Sequence, residues 1–200
     1  MAEKKEIRKQ LIVERDALSP DVWSKKSNAI ESSILRSRLY RDCEHLLIYA
    51  DFHGEVGTTM IIEDALIKGK KVYLPKVLES FEEARMDFFQ ISSSFELVNG
   101  YKGIMEPLGN RDRCFDYEKN KSDHILMLVP GVSFTKDGYR LGYGKGYYDS
   151  YLTDKNNIVK CGICFSMQVV EDLPINSHDI KMDLLVTENV SFTEIDRIKF

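Results

Sequence analysis

The chain has 200 residues, 43% of them hydrophobic, and a formal net charge of −4. That length buries one full core, so one domain spanning residues 1–200 is expected. A net-acidic chain lacks the cationic surplus that neutralises a nucleic-acid backbone, and no apolar run approaches the roughly 20 residues of a membrane span, so neither nucleic acid nor a bilayer is an expected partner. The opening MAEKKEIRKQ has no apolar core of a secretory signal. The cytoplasm is therefore the expected compartment, with Cys43, Cys114, Cys161 and Cys164 as reduced thiols.

Lys4 to Leu18 reads as a helix with Ile7, Leu11 and Leu18 on one stripe. Ser19-Pro20-Asp21 then gives a helix start: a capping serine, proline at the first position and an acid in the first turn. This second helix runs to about Ser37, with Trp23, Ser27, Ile30 and Ile34 recurring at threes and fours. The period then changes. His45–Ala50 reads as a buried strand, Thr58–Lys68 as a helix closed by Gly69, and Lys71–Val77 as the next strand, together a βαβ unit with parallel strands. Ser80–Ala84 reads as a polar turn before a strand at Arg85–Ser92. Residues 109–123, the most polar stretch, read as a surface loop. His124–Val129, Ile158–Phe165 and Asp183–Thr187 complete the strands, with a helix at Lys145–Thr153, giving a layered α/β domain.

Four of the twelve glycines fall between Gly138 and Gly146, in GYRLGYGKGYYD. The segment follows a buried strand and precedes a helix, which is where open α/β sheets hold ligands. Glycines let backbone N–H groups approach phosphate oxygens, Arg140 and Lys145 add positive charge, and Asp149 could hold a magnesium ion beside the phosphates. The spacing G-x-G-x-G over Gly142, Gly144 and Gly146 matches neither a Walker A loop nor a dinucleotide fingerprint. Taken alone, the segment fits either a phosphate cradle or a turn packed by Tyr143, Tyr147 and Tyr148.

RLGYGKGYYD, preceded by VPGVSFTKDGY, resembles the signature of the 5-formyltetrahydrofolate cyclo-ligase family. Three further blocks resemble the same family in the same order: KKEIRKQL near the start, YADFHGEVGT, and INSHDIKMDLLVTE. The resemblance implies a three-layer α/β/α sandwich with a mainly parallel sheet, akin to that of sugar-phosphate isomerases and CoA-transferases. It also implies ATP- and Mg²⁺-dependent closure of 5-formyltetrahydrofolate to 5,10-methenyltetrahydrofolate, releasing ADP and phosphate, by a monomer. For ATP it implies Lys4, Lys5, Glu6, Ile7 and Arg8, with Arg140, Leu141, Gly142, Tyr143, Gly144, Lys145, Gly146, Tyr147 and Tyr148. For the folate it implies Ala50, Glu55 and the shared stretch Tyr143, Gly144, Lys145, Gly146 and Tyr147. Arg140, Lys145 and Tyr147 would serve the chemical step, and Asp149 and Asp179 would hold magnesium. Asp183 reads as structural.

Other patterns lead elsewhere. Cys161-Gly162-Ile163-Cys164 has no second pair at zinc spacing and lies in a strand, where residues three apart face opposite sides, so buried structural thiols are expected. His45, His53, His124 and His178 show no ligand spacing, and His53 reads as a loop residue facing solvent. Glu106 reads as outside the site and Lys76 as a surface lysine.

Overall fold

The computed structural model describes residues 2–78, 85–190, 195–198 and 200. Two helices lead in, α1 (Ala2–Asp16) and α2 (Pro20–Arg36). Ser19 caps α2 as its spacing predicts, its Oγ accepting the Val22 N–H at 3.4 Å, and Ser27, Ile30, Glu31 and Ile34 form the buried stripe. Ser37 ends α2 and at once caps α3 (Arg38–Asp42), accepting the Tyr40 N–H at 3.1 Å. The sequence reading missed α3 because one capping residue separates it from α2.

The βαβ unit is as expected: β1 (His45–Leu47), α4 (Thr59–Ile67) and β2 (Lys71–Leu78), with His45 beside Lys71 in parallel register. Gly69 follows α4 at φ +71°, a left-handed position where a side chain would be strained. β1 is shorter than the His45–Ala50 expectation. Ile48 still bonds to the Tyr73 carbonyl at 2.9 Å, and the chain then lifts off into a turn. β3 (Arg85–Ile91) returns antiparallel to β2; the turn read at Ser80–Ala84 lies outside the described residues.

A small hairpin, β4 (Val98–Asn99) with β5 (Met105–Glu106), precedes α5 (Tyr117–Asn120). The polar stretch 109–123 is more than a surface loop. It carries α5, and Phe115 within it is buried and pinned to the β3 edge by donating its N–H to the Phe88 carbonyl at 2.8 Å. Next come β6 (Ile125–Val129), β7 (Ser133–Thr135), β8 (Arg140–Leu141), α6 (Tyr147–Leu152), β9 (Ile158–Ile163), β10 (Val169–Val170) and β11 (Leu184–Val186). The helix expected at Lys145–Thr153 starts two residues late, because Gly146 sits at φ +69° and cannot continue it backward.

The main sheet has the order β11-β9-β6-β1-β2-β3 and is parallel except at β3. Its strands alternate between two cores. Leu126 and Leu128 of β6 join Ile30, Ile34, Ile61 and Ala65 under α2 and α4. Ile125, Met127 and Val129 face the opposite side, with Phe88, Phe115, Phe134 and the α6 residues Tyr151 and Leu152. Both faces of a parallel sheet are thus covered, which is why its strands read as unbroken apolar runs. The second sheet, β10-β7-β8, was not legible in the sequence, its strands being two or three residues long.

Candidate active site

β1 is the point where the sheet reverses its order of growth: β2 lies on one side of it and β6 on the other. In open α/β sheets the crevice at the carboxyl ends of such neighbouring strands receives ligands. A cleft of about 430 Å³ opens there, with Ala50 beyond β1 and Pro130 beyond β6 in its wall. Lys4 and Arg8 of α1 and the stretch Arg140–Asp149 supply its charged wall. Phe52, Pro75, Val77, Met86 and Ile104 supply an apolar one.

Glu55 stands in the turn after β1, and fixed partners build that turn. Tyr49 donates its hydroxyl to the Val56 carbonyl at 3.0 Å, Gly57 donates its N–H to Ser27 at 3.1 Å, and the Trp23 indole donates to the Glu55 carbonyl at 2.8 Å. The carboxylate accepts the Phe52 N–H at 3.2 Å. Glu55 is only 8% exposed. Burial pushes its carboxyl up to about 7, while the Arg15 charge, the Phe52 N–H and the Tyr143 hydroxyl work the other way. A buried carboxyl this close to neutrality, in an apolar wall, accepts N–H donors from a flat heterocycle at little desolvation cost.

The glycine-rich segment rises from the β7–β8 hairpin and arcs over the cleft to α6. Arg8 holds it by donating from Nε to the Gly142 carbonyl at 2.7 Å. At Gly144, φ is +97° and an added Cβ would stand 3.4 Å from the Arg8 guanidinium, so both backbone hand and space favour glycine. Arg140 is nearly buried (side chain 3% exposed), pairs with Asp149 at 2.8 Å, and lies over the Tyr148 ring at 5.4 Å. Its Nη1 is buried without a hydrogen-bond partner among the described residues. Such an orphaned donor on a fixed cation is what an incoming anionic oxygen would satisfy. Lys145 is exposed on the same wall. Burial raises the Tyr148 phenol well above its usual range, so it stays neutral.

Asp149 and Asp179 come together although thirty residues apart. Asp149 accepts the Ile180 N–H at 3.1 Å, which sets the preceding residue, Asp179, beside it at the cleft. Asp179 pairs with Lys4 at 3.2 Å and accepts the Asn176 N–H at 2.7 Å. No group of three or more acid, histidine or cysteine side chains among the described residues forms a metal cage. Two hard carboxylates beside a phosphate-suited loop do fit Mg²⁺, which takes one or two protein carboxylates and completes its shell with phosphate oxygens and water.

The cleft therefore gathers Lys4, Arg8, Ala50, Glu55, Asp149, Asp179 and the whole of Arg140–Tyr148. Lys5, Glu6 and Ile7 lie outside its lining, with Lys5 and Glu6 exposed on the outer face of α1. Glu106, read as outside the site, is buried in the cleft wall and paired with Lys76, which is therefore no free surface lysine. Asp183 is structural as read, accepting the Lys160 N–H at 2.7 Å, and His53 is exposed. Arg15 was missed altogether. It is 2% exposed and donates from Nη2 to the His53 carbonyl at 2.6 Å and the Tyr143 hydroxyl at 2.8 Å. One signal could have found it: Arg15 follows Ile7 and Leu11 at steps of four, on the apolar stripe of α1. Cys161 and Cys164 are free thiols in opposite cores, as the strand argument requires.

A parallel α/β sheet with a cleft at its reversal point, one wall cationic and glycine-rich and the other apolar, defines the class as an α/β protein of the small-molecule enzyme type. The particular family follows from comparison: residues 1–188 match the model of the 5-formyltetrahydrofolate cyclo-ligase family, and the chain belongs to that family. A probable 5-formyltetrahydrofolate cyclo-ligase of Schizosaccharomyces pombe is 31% identical, over 85% of this chain and 87% of the relative. The mouse 5-formyltetrahydrofolate cyclo-ligase is 29% identical, over 93% and 94%. Among solved structures, the 5,10-methenyltetrahydrofolate synthetase of Aquifex aeolicus superposes with a TM-score of 0.79 at 34% identity, covering 94% of this chain and 90% of that one.

Proposed function

We propose that this protein catalyses the ATP- and Mg²⁺-dependent closure of 5-formyltetrahydrofolate to 5,10-methenyltetrahydrofolate, releasing ADP and phosphate. The observation that carries it is one cleft holding both the orphaned Arg140 donor in a glycine-rich arc and the buried Glu55 carboxyl in an apolar wall. The formyl oxygen on N5 is amide-like and leaves poorly. Transfer of the γ-phosphoryl group to it makes a good leaving group; N10 then attacks the formyl carbon, loses its proton, and phosphate departs as the ring closes.

Phosphoryl transfer asks for alignment and charge neutralisation rather than covalent help. Arg140 and Lys145 would meet the transferring phosphoryl oxygens, and Lys4 and Arg8 the rest of the nucleotide. Glu55 would accept donors of the pterin ring, and Tyr147 would border the formyl end. Magnesium, held by Asp149 and Asp179, would neutralise phosphate charge. We place the protein as a monomeric single domain in the cytoplasm, where its four free thiols suit a reducing milieu. Among the described residues no helix is long and apolar enough to cross a membrane.

The test is direct. Purified protein with 5-formyltetrahydrofolate, Mg²⁺ and ATP should give the near-ultraviolet absorbance of the methenyl product. No ATP-dependent rise would defeat the proposal. Asp149→Asn should shift the magnesium titration to higher concentration, and an unshifted titration would remove Asp149 from the metal site.

A further inference from the structure

Two walls of the cleft come from distant parts of the chain, and α1 touches both. Near its start, Arg8 donates to the Gly142 carbonyl of the glycine-rich segment. Near its end, Arg15 reaches the far side of that segment and the Glu55 turn at once. Its Nη2 donates to the Tyr143 hydroxyl and to the His53 carbonyl. The Tyr143 hydroxyl in turn donates to the Glu55 carboxylate. The links run Arg15, Tyr143, Glu55, joining helix, nucleotide wall and folate wall.

Arg15 does not look like a packing residue. Its Nε and Nη1 are buried with no hydrogen-bond partner among the described residues. A buried guanidinium kept only for stability has its donors satisfied, and an unsatisfied one asks for another explanation. Tyr143 also differs from a packed aromatic: the residue is 52% exposed, yet its hydroxyl turns inward to Arg15.

Resting on the reaction proposed above, we propose that Arg15 is a positioning residue that couples the two walls of the cleft, setting the Glu55 carboxylate through Tyr143 according to where the glycine-rich segment lies. The charged and titratable groups facing Glu55 are few. They are Arg15 from α1, Tyr143 from the segment, Tyr148 from α6, Tyr49 beyond β1 and Asp51 in its own turn. Arg15 is the cation among these that favours the ionised carboxylate. Loss of the link would therefore weaken folate recognition selectively, leaving the Arg8 tie and Arg140 in place for the nucleotide.

Arg15→Gln, Arg15→Lys, Tyr143→Phe and the double variant Arg15→Gln/Tyr143→Phe test this. Tyr143→Phe removes a half-exposed hydroxyl and is the variant least able to disturb folding. It should raise the KM for 5-formyltetrahydrofolate about tenfold while the KM for ATP stays within about twofold, as for loss of one hydrogen bond to a charged group. The double variant should be no worse than Arg15→Gln alone, because both changes break one link. Arg15→Lys, which keeps the charge and loses the fork, should fall between wild type and Arg15→Gln. Additive effects, or an unchanged folate KM in Tyr143→Phe, would overturn the proposal. If Arg15→Gln melts at the assay temperature, Arg15→Lys takes its place in the cycle.

A readout without turnover separates this proposal from the reaction itself. Trp23 is the single tryptophan and bonds to the Glu55 carbonyl. Acrylamide quenching of its fluorescence should rise in Tyr143→Phe as the Glu55 turn loosens. An unchanged quenching constant refutes the link even if the enzyme turns over. A rise in a wild-type protein that makes no methenyl product would instead defeat the reaction and leave the link standing.

Discussion

Glu55→Gln should stabilise the ligand-free protein at alkaline relative to acidic pH. The carboxyl rises from 4.5 to about 7 on folding, chiefly by burial. At about 1.4 kcal/mol per unit, that rise corresponds to roughly 3 kcal/mol. The sign follows from proton counting. Below pH 4.5 the carboxyl is neutral in folded and unfolded chains alike. Between 4.5 and 7 the unfolded chain has lost its proton while the folded one keeps it, so rising pH favours unfolding. Above 7 both are ionised and the full cost of the buried charge is present. Glutamine, which never ionises, carries none of it.

Urea unfolding at pH 4.5 and pH 8 gives the measurement. The wild type should lose roughly 3 kcal/mol more than Glu55→Gln between the two. Other groups cancel in the difference. Glu31, which burial also pushes up to about 7 while it accepts the Met60 N–H, adds a slope of the same sign to both proteins. His45, which burial lowers, adds the opposite sign to both. Equal pH slopes for wild type and variant would refute the buried, proton-retaining Glu55. A folate that donates hydrogen bonds to the ionised form should also release a proton on binding near pH 6, seen as a buffer-dependent binding enthalpy.

Arg140→Lys keeps a charge but loses the planar fork that serves Asp149 and leaves Nη1 free; kcat/KM should fall by about 100-fold or more, and turnover within threefold of wild type would remove Arg140 from the chemical step. Gly146→Ala meets no neighbour within 4 Å, so only the left-handed φ of +69° opposes it; the strain of about 1–2 kcal/mol should lower Tm by a few degrees, and an unchanged Tm would refute the conformation. In the native protein a thiol reagent should react readily with Cys114 alone: burial pushes Cys43 up to about 11 and raises Cys161 and Cys164 as well. Rapid reaction of a second thiol would show that a core opens.

What the sequence fixed locally, it showed well. Ser19-Pro20-Asp21 started α2, Gly69 ended α4, and the β1–α4–β2 unit was legible because period, caps and turn residues lie within a few positions of one another. The apolar runs at β6 and β9 were legible for a different reason: a strand covered on both faces leaves no polar alternation. The short strands β7, β8 and β10 were not, since two or three residues carry no period and their pairing is decided by neighbours far along the chain.

The glycine-rich segment is the clearest division between the two levels. Residue type and order alone marked Arg140, Gly142, Gly144, Lys145 and Gly146 as a backbone built to approach a ligand. Tertiary structure decided everything about what surrounds it. It brought Asp149 and Asp179 side by side, set Glu106 into the opposite wall, and turned Lys5 and Glu6 to the outer face of α1. Above all it buried Arg15. A charge on an apolar helical stripe is a contradiction in sequence, and only the fold resolves it. The partners that accept its protons, the His53 carbonyl and the Tyr143 hydroxyl, lie 38 and 128 residues away.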